Sequence, residues 1–496
     1  MAAAKTFTLV ETTIADIHAA YKSTTLSARE LVQAYLDRIA AYDQQGPAIN
    51  AVISINPDAL SEAERLDSAM AKSGFVGPLH GIPIIIKDQA DVDGMPTTLG
   101  SVLFKDHRPG RDCFVAARLK KAGAIFLGKA TLGELGGGDT HGSLFGSTRN
   151  VYDLERTAGG SSGGSGASVS ANLATLAIGQ EGFASIRRPS TWNGVAGMRP
   201  TAGLVSRTGV YAGWPSIAGS LGPMARTVTD LAKLLDGMVG YDPADPLTAH
   251  GVGRAARSYA DGLDRNALKG ARLGVLREPM GVQSEPDSED FRKVSEVFDK
   301  ALDDLRKAGA VLVDPVAIPD LAGLMAKRAG NAEIDDQAFK EYLAGSANAP
   351  YARRKDMLSS PLVGQLTHHA QEILHRAPRP EAHHEYLKAR DLLMTRLLQV
   401  MADHRLDAFV HKSVEHQPTL IRDGVNPPYV DGKGVPHLNT FVVFVPSITV
   451  PAGFTRDNLP TGITFLGRPY DDAAMIRLAY AYEQATGHRR APTTTP

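Results

Sequence analysis

Apolar residues recur at helical spacing in the first part of the chain: Ile14, Ile17 and Ala20, then Leu31, Tyr35, Leu36 and Ile39. That spacing gathers each set on one face, which predicts two amphipathic helices over residues 13–41, clamped on the outside of a core. Ser27-Ala28-Arg29-Glu30 has the form of a capping box for the second of them. Residues 51–56 read as a short strand and 59–72 as a helix. After a turn at 77–83, the run Ile84-Ile85-Ile86 reads as a buried strand ending in Lys87-Asp88. A helix over 112–120 and a strand over 124–127 continue the alternation, which places the chain in the α/β class. Farther on, the pattern predicts a helix at 227–235, a strand at 271–275, a helix at 291–308 and a strand at 311–313. Residues 321–405 read as mostly helical. A strand at 406–410, β-rich runs at 441–450 and 462–465, and a closing helix at 472–487 complete the series. No internal repeat interrupts it.

Composition changes this picture little. The 496 residues are 43% apolar and 22% charged, as in an ordinary globular protein. Its 53 basic and 54 acidic side chains leave a formal charge of -1, which offers no overall attraction to nucleic acid or an acidic membrane surface. Cys113 is the sole cysteine, so neither an internal disulfide nor a thiolate metal cluster can form within one chain. The N-terminus lacks a long apolar run and acquires acidic residues early. The longest apolar window, 441–454, is broken by Pro446 and Pro451 and is too short to span a bilayer. The expectation is a cytoplasmic protein with a small-molecule substrate, no nucleic acid and no membrane; a homodimer is left open.

Candidate chemistry concentrates in residues 157–201. Gly159, Gly160, Gly163, Gly164 and Gly166 surround Ser161, Ser162 and Ser165, and such a stretch can turn N–H groups and hydroxyls inward. A flexible linker has similar composition, but this stretch runs directly into Ala167, Val169, Ala171, Leu173, Leu176 and Ala177, apolar at roughly helical spacing. A tight loop feeding a buried helix is therefore predicted. No Gly-Lys-Ser/Thr follows, so the elements of a phosphate-binding loop are missing. Lys87, at the end of an isoleucine run, has two readings: a side chain that snorkels to solvent, or a desolvated amine available as a base. Gly133 to Gly138, with three consecutive glycines, has the composition of a mobile surface loop. His368, Glu372 and His375 share a helical face at a spacing that a metal could use, but in a charged helical region they read as a polar face.

The pieces GPLHGIPIIIKD (77–88), PTTLGS (96–101), FGSTRN (145–150), ERTAGGSSGGS (155–165), SIRRP (185–189), GVAGMRPT (194–201), LGPMART (221–227) and LPTGITFLG (459–467) occur in one order along most of the chain. Together they resemble the amidase signature family. The resemblance implies a single domain over 1–496 with a large, mixed, twisted β-sheet surrounded by α-helices, and residues 321–405 as a variable helical cover over the cleft. It implies hydrolysis of a carboxylic amide, small aliphatic, aryl or peptide-like, to acid plus ammonia or amine through a Ser-cisSer-Lys triad, with no cofactor and no metal. By position, Lys87 matches the family's base, Ser161 the bridging serine and Ser185 the nucleophile that carries the acyl group. The backbone N–H groups of Gly182, Phe183, Ala184 and Ser185 match the oxyanion donors. Gly136, Gly137 and Gly138 match backbone that meets the substrate. Arg187 matches an arginine expected to anchor the loop.

The chain also departs from the family. Gln180-Glu181-Gly182-Phe183-Ala184-Ser185 stands where most members have Thr-Asp-x-Gly-Gly-Ser, so Phe183 and Ala184 replace two glycines. If those positions need positive φ, the replacements are unfavourable; if φ is negative, the donors survive and Phe183 places bulk beside the scissile bond. Gly219-Ser220 replaces a frequent Asp-Gln pair. His411-Lys412-Ser413 replaces Thr-Pro-Thr, and Lys412 and His416 are expected either in the cleft or on an exposed loop. Two other functions share the resemblance: the A subunit of a tRNA-dependent amidotransferase, which needs partner proteins, and a non-catalytic binding relative.

Overall fold

The computed structural model describes residues 7–211, 219–346 and 348–496. Both N-terminal helices form as the apolar spacing predicts, as α1 (Ile14–Lys22) and α2 (Ala28–Arg38). Each opens on a reciprocal capping box, Thr13 with Asp16 and Ser27 with Glu30, which satisfies backbone N–H groups that a helix start leaves free. β1 (Val52–Ile55) and α3 (Ala59–Ser73) lead to β2 (Pro83–Lys87), whose five residues are all buried. Then come α4 (Phe114–Lys121), capped by buried Cys113, and β3 (Ile125–Ala130). A two-stranded hairpin, β4 (His141–Gly142) with β5 (Gly146–Ser147), stands apart from the main sheet.

The Gly/Ser stretch folds as a loop and then α5 (Gly163–Ser170), followed by β6 (Leu176–Glu181), α6 (Arg187–Trp192), β7 (Ala196–Arg199), β8 (Ser220–Ala225) and α7 (Val228–Met238). The predicted helix is thus shorter than its apolar pattern. Asn172, at φ 56°, lies just past its end, and Leu176 and Ala177 belong to a strand. They are apolar in succession because β6 is buried throughout, pairing with β2 on one side and β8 on the other.

The C-terminal half supplies β9 (Arg272–Leu276), α8 (Glu289–Lys307) and β10 (Val311–Val316), then α9 (Leu321–Met325), α10 (Ala332–Ala344), α11 (Arg354–Met357), α12 (His368–Leu374) and α13 (Pro380–Asp403). It closes with β11 (Ala408–Lys412), α14 (Ile421–Val425), β12 (Ser447–Phe454), β13 (Pro460–Leu466) and α15 (Asp472–Thr486). The strand expected from residue 441 begins only at Ser447. Residues 438–440 form a 3₁₀ turn, and Phe441, Val442 and Val445 are apolar because they fill the core beneath α13, not because they are extended.

Eleven strands make one mixed sheet in the order β1-β3-β2-β6-β8-β7-β12-β13-β11-β9-β10. β3, β2 and β6 are parallel neighbours, so their carboxyl ends open on one side. Such ends are where open α/β sheets present ligand sites. α10, α11 and α12 pack on the loops beyond those ends, in one apolar cluster with Leu99, Phe104, Leu135 and Tyr211. Among the described residues no helix is long and apolar enough to cross a membrane.

Candidate active site

Lys87 is the last residue of β2 and is fully buried. Its Nζ donates to Ser161 Oγ at 2.6 Å and to the Gln180 carbonyl at 3.3 Å. Burial, reinforced by the nearby Arg188 charge, holds the ammonium well below its ordinary pKa even though Glu181 pulls the other way. An isoleucine run ending in lysine therefore delivers the amine into a dry site, not to solvent.

Ser161 enters from the glycine-rich loop through a cis Gly160–Ser161 peptide. Besides accepting from Lys87, its hydroxyl donates to the Gly136 carbonyl at 2.9 Å. Glycine is required around it by close approach. A Cβ on Gly160 would lie 2.2 Å from the Gly138 carbonyl oxygen, and one on Gly164 would lie 2.3 Å from Thr131 Oγ1. The neighbouring Ser162 and Ser165 hydroxyls donate to the carbonyls of Gln180 and Ile178, so α5 is fastened to β6 by its own serines despite a sequence poor in helix formers.

β6 ends at Glu181, and the chain turns through 182–186 before α6. Ser162 N–H donates to the Ser185 carbonyl at 3.1 Å, which fixes the backbone of the second serine against the first. Lys87 and Ser161 are 0% exposed and Ser185 is 9% exposed, so the accessible member of the three is Ser185. Its hydroxyl makes no hydrogen bond among the described residues.

The turn is built on one carboxylate. Glu181 accepts the N–H groups of Ile186 (2.9 Å) and Arg187 (3.0 Å) and pairs with Arg187 Nε (2.8 Å), while Arg187 Nη2 donates to the Phe183 carbonyl (3.0 Å). Arg187 thus anchors the loop, as its position in the motif implied. The N–H groups of Gly182, Phe183, Ala184 and Ser185 donate to no protein acceptor among the described residues. None of the four residues has positive φ. Phe183 and Ala184 therefore occupy conformations open to any L-residue, and the loss of two glycines carries no backbone strain. A run of four free donors beside a serine can bind an oxyanion.

Gly133 to Gly138 lies against this centre. Gly136 and Gly137 are buried, Gly138 is partly so, and Glu134–Gly136 form a 3₁₀ turn, so the segment is not an exposed mobile loop. α12 covers it: Thr367 N–H donates to Glu134 (2.8 Å), and a Cβ on Gly137 would meet His369 Nε2 at 2.8 Å.

The fold and this arrangement of residues have known relatives. The Amidase family model matches residues 30–476. The chain belongs to the amidase family. It is similar throughout to the solved peptide amidase from Stenotrophomonas maltophilia, at 36% identity and a TM-score of 0.87, covering 99% of this chain and 100% of that one. The solved A subunit of the Thermotoga maritima glutamyl-tRNA(Gln) amidotransferase is less alike, at 27% identity and a TM-score of 0.73, with 99% of each chain covered. In sequence, a probable amidase of Arabidopsis thaliana is 30% identical, covering 98% of this chain and 92% of that protein. The A subunit of the Halorhodospira halophila glutamyl-tRNA(Gln) amidotransferase is 31% identical, covering 97% and 98%. The large mixed sheet flanked by helices is the amidase signature fold.

In this amidase-family chain, Arg188 is the supporting residue that motif reading passed over. Its Nε donates to the Gly160 carbonyl (2.7 Å) and Nη2 to the Gly138 carbonyl (3.0 Å), tying the Ser161 loop to the glycine segment. Nη1 pairs with Asp139 (3.0 Å) and Asp431 (3.6 Å). The doubled arginine in SIRRP was the available signal. Asp88, the acid after Lys87, is buried and pairs with Lys129 (3.0 Å) while accepting from Thr98, a structural arrangement.

Lys412 and His416 lie in neither expected place. Lys412 Nζ sits 3.5 Å from the Phe291 ring centroid and donates to Ser295, and His416 pairs with Asp290, so both are buried against α8. Ser220 lies in β8, and Gly219 directly precedes it. His368 stacks on Tyr429 (4.1 Å between ring centres), and among the described residues no group of three or more His, Cys, Asp or Glu is arranged to hold a metal ion.

Proposed function

We propose that this protein hydrolyses carboxylic amides, C-terminal peptide amides foremost, through an acyl-enzyme on Ser185. The observation that carries the reading is the dry Lys87–Ser161 contact of 2.6 Å, set beside a serine at the end of a run of four unused N–H donors. Neutral Lys87 takes a proton from Ser161, Ser161 takes one from Ser185, and Ser185 Oγ forms a bond to the amide carbonyl carbon. The oxygen, now negative, is held by the N–H groups of residues 182–185. The C–N bond then breaks, and the proton stored on Lys87 returns through Ser161 to the departing nitrogen, which leaves as ammonia or amine. Water, deprotonated along the same relay, cleaves the ester and releases the acid. Gly136, Gly137 and Gly138 are assigned to backbone contact with the substrate. Neither a metal nor a cofactor enters these steps.

The similarity to peptide amidase over the whole chain supports peptide amides as the substrate class. Release of ammonia from a panel of aliphatic, aryl and peptide amides tests this, with the peptide amides expected to give the highest kcat/KM. If the purified protein hydrolyses no amide but does so, or transfers ammonia, once partner proteins are added, the reading fails in favour of an amidotransferase component.

A further inference from the structure

The loop of N–H donors and the helical region 321–405 meet in space at Phe183. Phe183, standing where a glycine is usual, is half-buried in the loop of N–H donors, and the helical region 321–405 reaches it from outside. Arg328, in the turn between α9 and α10, places its guanidinium carbon 4.5 Å from the centre of the Phe183 ring. His437, just before the 438–440 turn, stacks on the same ring with its centre 5.4 Å away and the planes inclined by 4°. The two contacts are tied to each other. Arg328 N–H donates to the Met325 carbonyl at 3.2 Å, and His437 Nε2 lies 3.5 Å from that same carbonyl. Burial and the adjacent Arg328 hold the His437 imidazole down to a pKa of about 4, so near neutrality it stacks as an uncharged ring.

From the inner side, the Phe183 carbonyl is held by Arg187, and Ala184 packs with Trp192, Val414 and Val435. The backbone between these anchors carries the Phe183 and Ala184 N–H groups. A glycine at 183 would give Arg328 and His437 no side chain to grip.

We propose that Arg328 and His437 are positioning residues for the oxyanion donors, acting through the Phe183 ring. By this device the α9–α10 turn of the variable region sets the geometry of the reacting site. The inference rests on the acyl-enzyme reading above. Its energetic logic is that a donor misplaced by about 1 Å forfeits much of its transition-state stabilisation while leaving ground-state binding nearly intact.

The test compares the parent with Phe183→Gly, Phe183→Leu, Arg328→Met and Arg328→Lys. Readouts are kcat and KM on the preferred amide, the rate at which a fluorophosphonate labels Ser185, and the melting temperature. Phe183→Gly and Arg328→Met are expected to lower kcat and the labelling rate by about 10- to 100-fold, with KM changed by less than about threefold. Arg328→Lys, which keeps a cation over the ring, is expected to recover most of the loss. Phe183→Leu, apolar but without a π face, is expected to fall between parent and Phe183→Gly. Unchanged kcat with an altered KM or amide preference would make the ring a pocket wall and overturn the proposal. Losses that follow melting temperature alone, with no rescue by Arg328→Lys, would also overturn it. A parent that neither turns over amides nor labels at Ser185 contradicts the acyl-enzyme reading itself; a labelled parent matched by every variant contradicts the stack alone.

Discussion

At the scale of single residues, the surroundings of Lys87 disfavour its charged form. Lys87 titrates below its ordinary range because it is buried and near Arg188. As a base it must be neutral, so kcat/KM is expected to rise with pH through that lowered pKa and to level off above it, with the ascending limb well below the titration of an exposed lysine. Steady-state rates across pH check this, and an ascending limb near the ordinary lysine range would contradict it. The same shift has a stability consequence. Between the lowered folded pKa and the unfolded value of about 10.4, the unfolded chain binds the extra proton, so stability rises with pH through that window. Lys87→Met removes the cost of burying the amine. It is expected to abolish turnover and raise the melting temperature by about 2 °C or more near pH 7, measured by thermal denaturation. A lowered melting temperature would show that the contacts of Lys87 with Ser161 and Gln180 outweigh its desolvation.

At the scale of elements, the β6–α6 turn depends on Glu181. Glu181→Gln leaves Arg187 buried without its charge partner and is expected to destabilise the fold by about 3 kcal/mol while lowering kcat, because the donor loop loses its inner anchor. Denaturation midpoints and turnover read the two effects separately. Ser27→Ala provides the contrast: loss of the α2 cap is expected to cost about 1 kcal/mol and leave kcat unchanged, since the cap bonds only within its own helix start. Much at this scale was legible in the sequence. Periodicity located α1, α2, α7 and α8, and the isoleucine run located β2, because each has a one-sided face or a continuously buried run. It misplaced Leu176-Ala177 and Phe441 to Val445, since residues buried on all sides carry no period that separates strand, helix and turn. Lys87, Ser161 and Ser185 were proposed from motifs alone, and the fold puts Lys87 and Ser161 in contact, with the backbone of Ser185 held beside them. Phe183 with Arg328, and the burial of Lys412 and His416, were not legible in the motifs, because each depends on a partner more than a hundred residues away. Arg188 was missed because its role lies in tying together two loops that only the fold makes neighbours.

At the scale of the whole molecule, three parallel strands, β3, β2 and β6, bring the lysine and the donor loop to one side, and the helices of 321–405 cover the adjoining segments. The ends of the described chain are fastened to each other by contacts that include none of the three catalytic candidates: Arg489 pairs with Glu11 (2.7 Å), and Arg38 donates to the carbonyls of Thr495 and Pro496 (2.9 Å each). Removal of residues 488–496 is therefore expected to lower the melting temperature while sparing kcat and KM, checked by thermal denaturation beside steady-state assay. In the proposed function, the arrangement as a whole serves one event, transfer of an acyl group to Ser185. The most direct measurement of that event is mass spectrometry of protein quenched during turnover of a peptide amide, run with the parent and with Lys87→Ala, Ser161→Ala and Ser185→Ala. An acyl adduct on the peptide containing Ser185 is expected in the parent and none in Ser185→Ala, with turnover falling by at least about 10³-fold in all three variants. Undiminished turnover by Ser185→Ala, or an acyl group found on another residue, would contradict the acyl-enzyme reading.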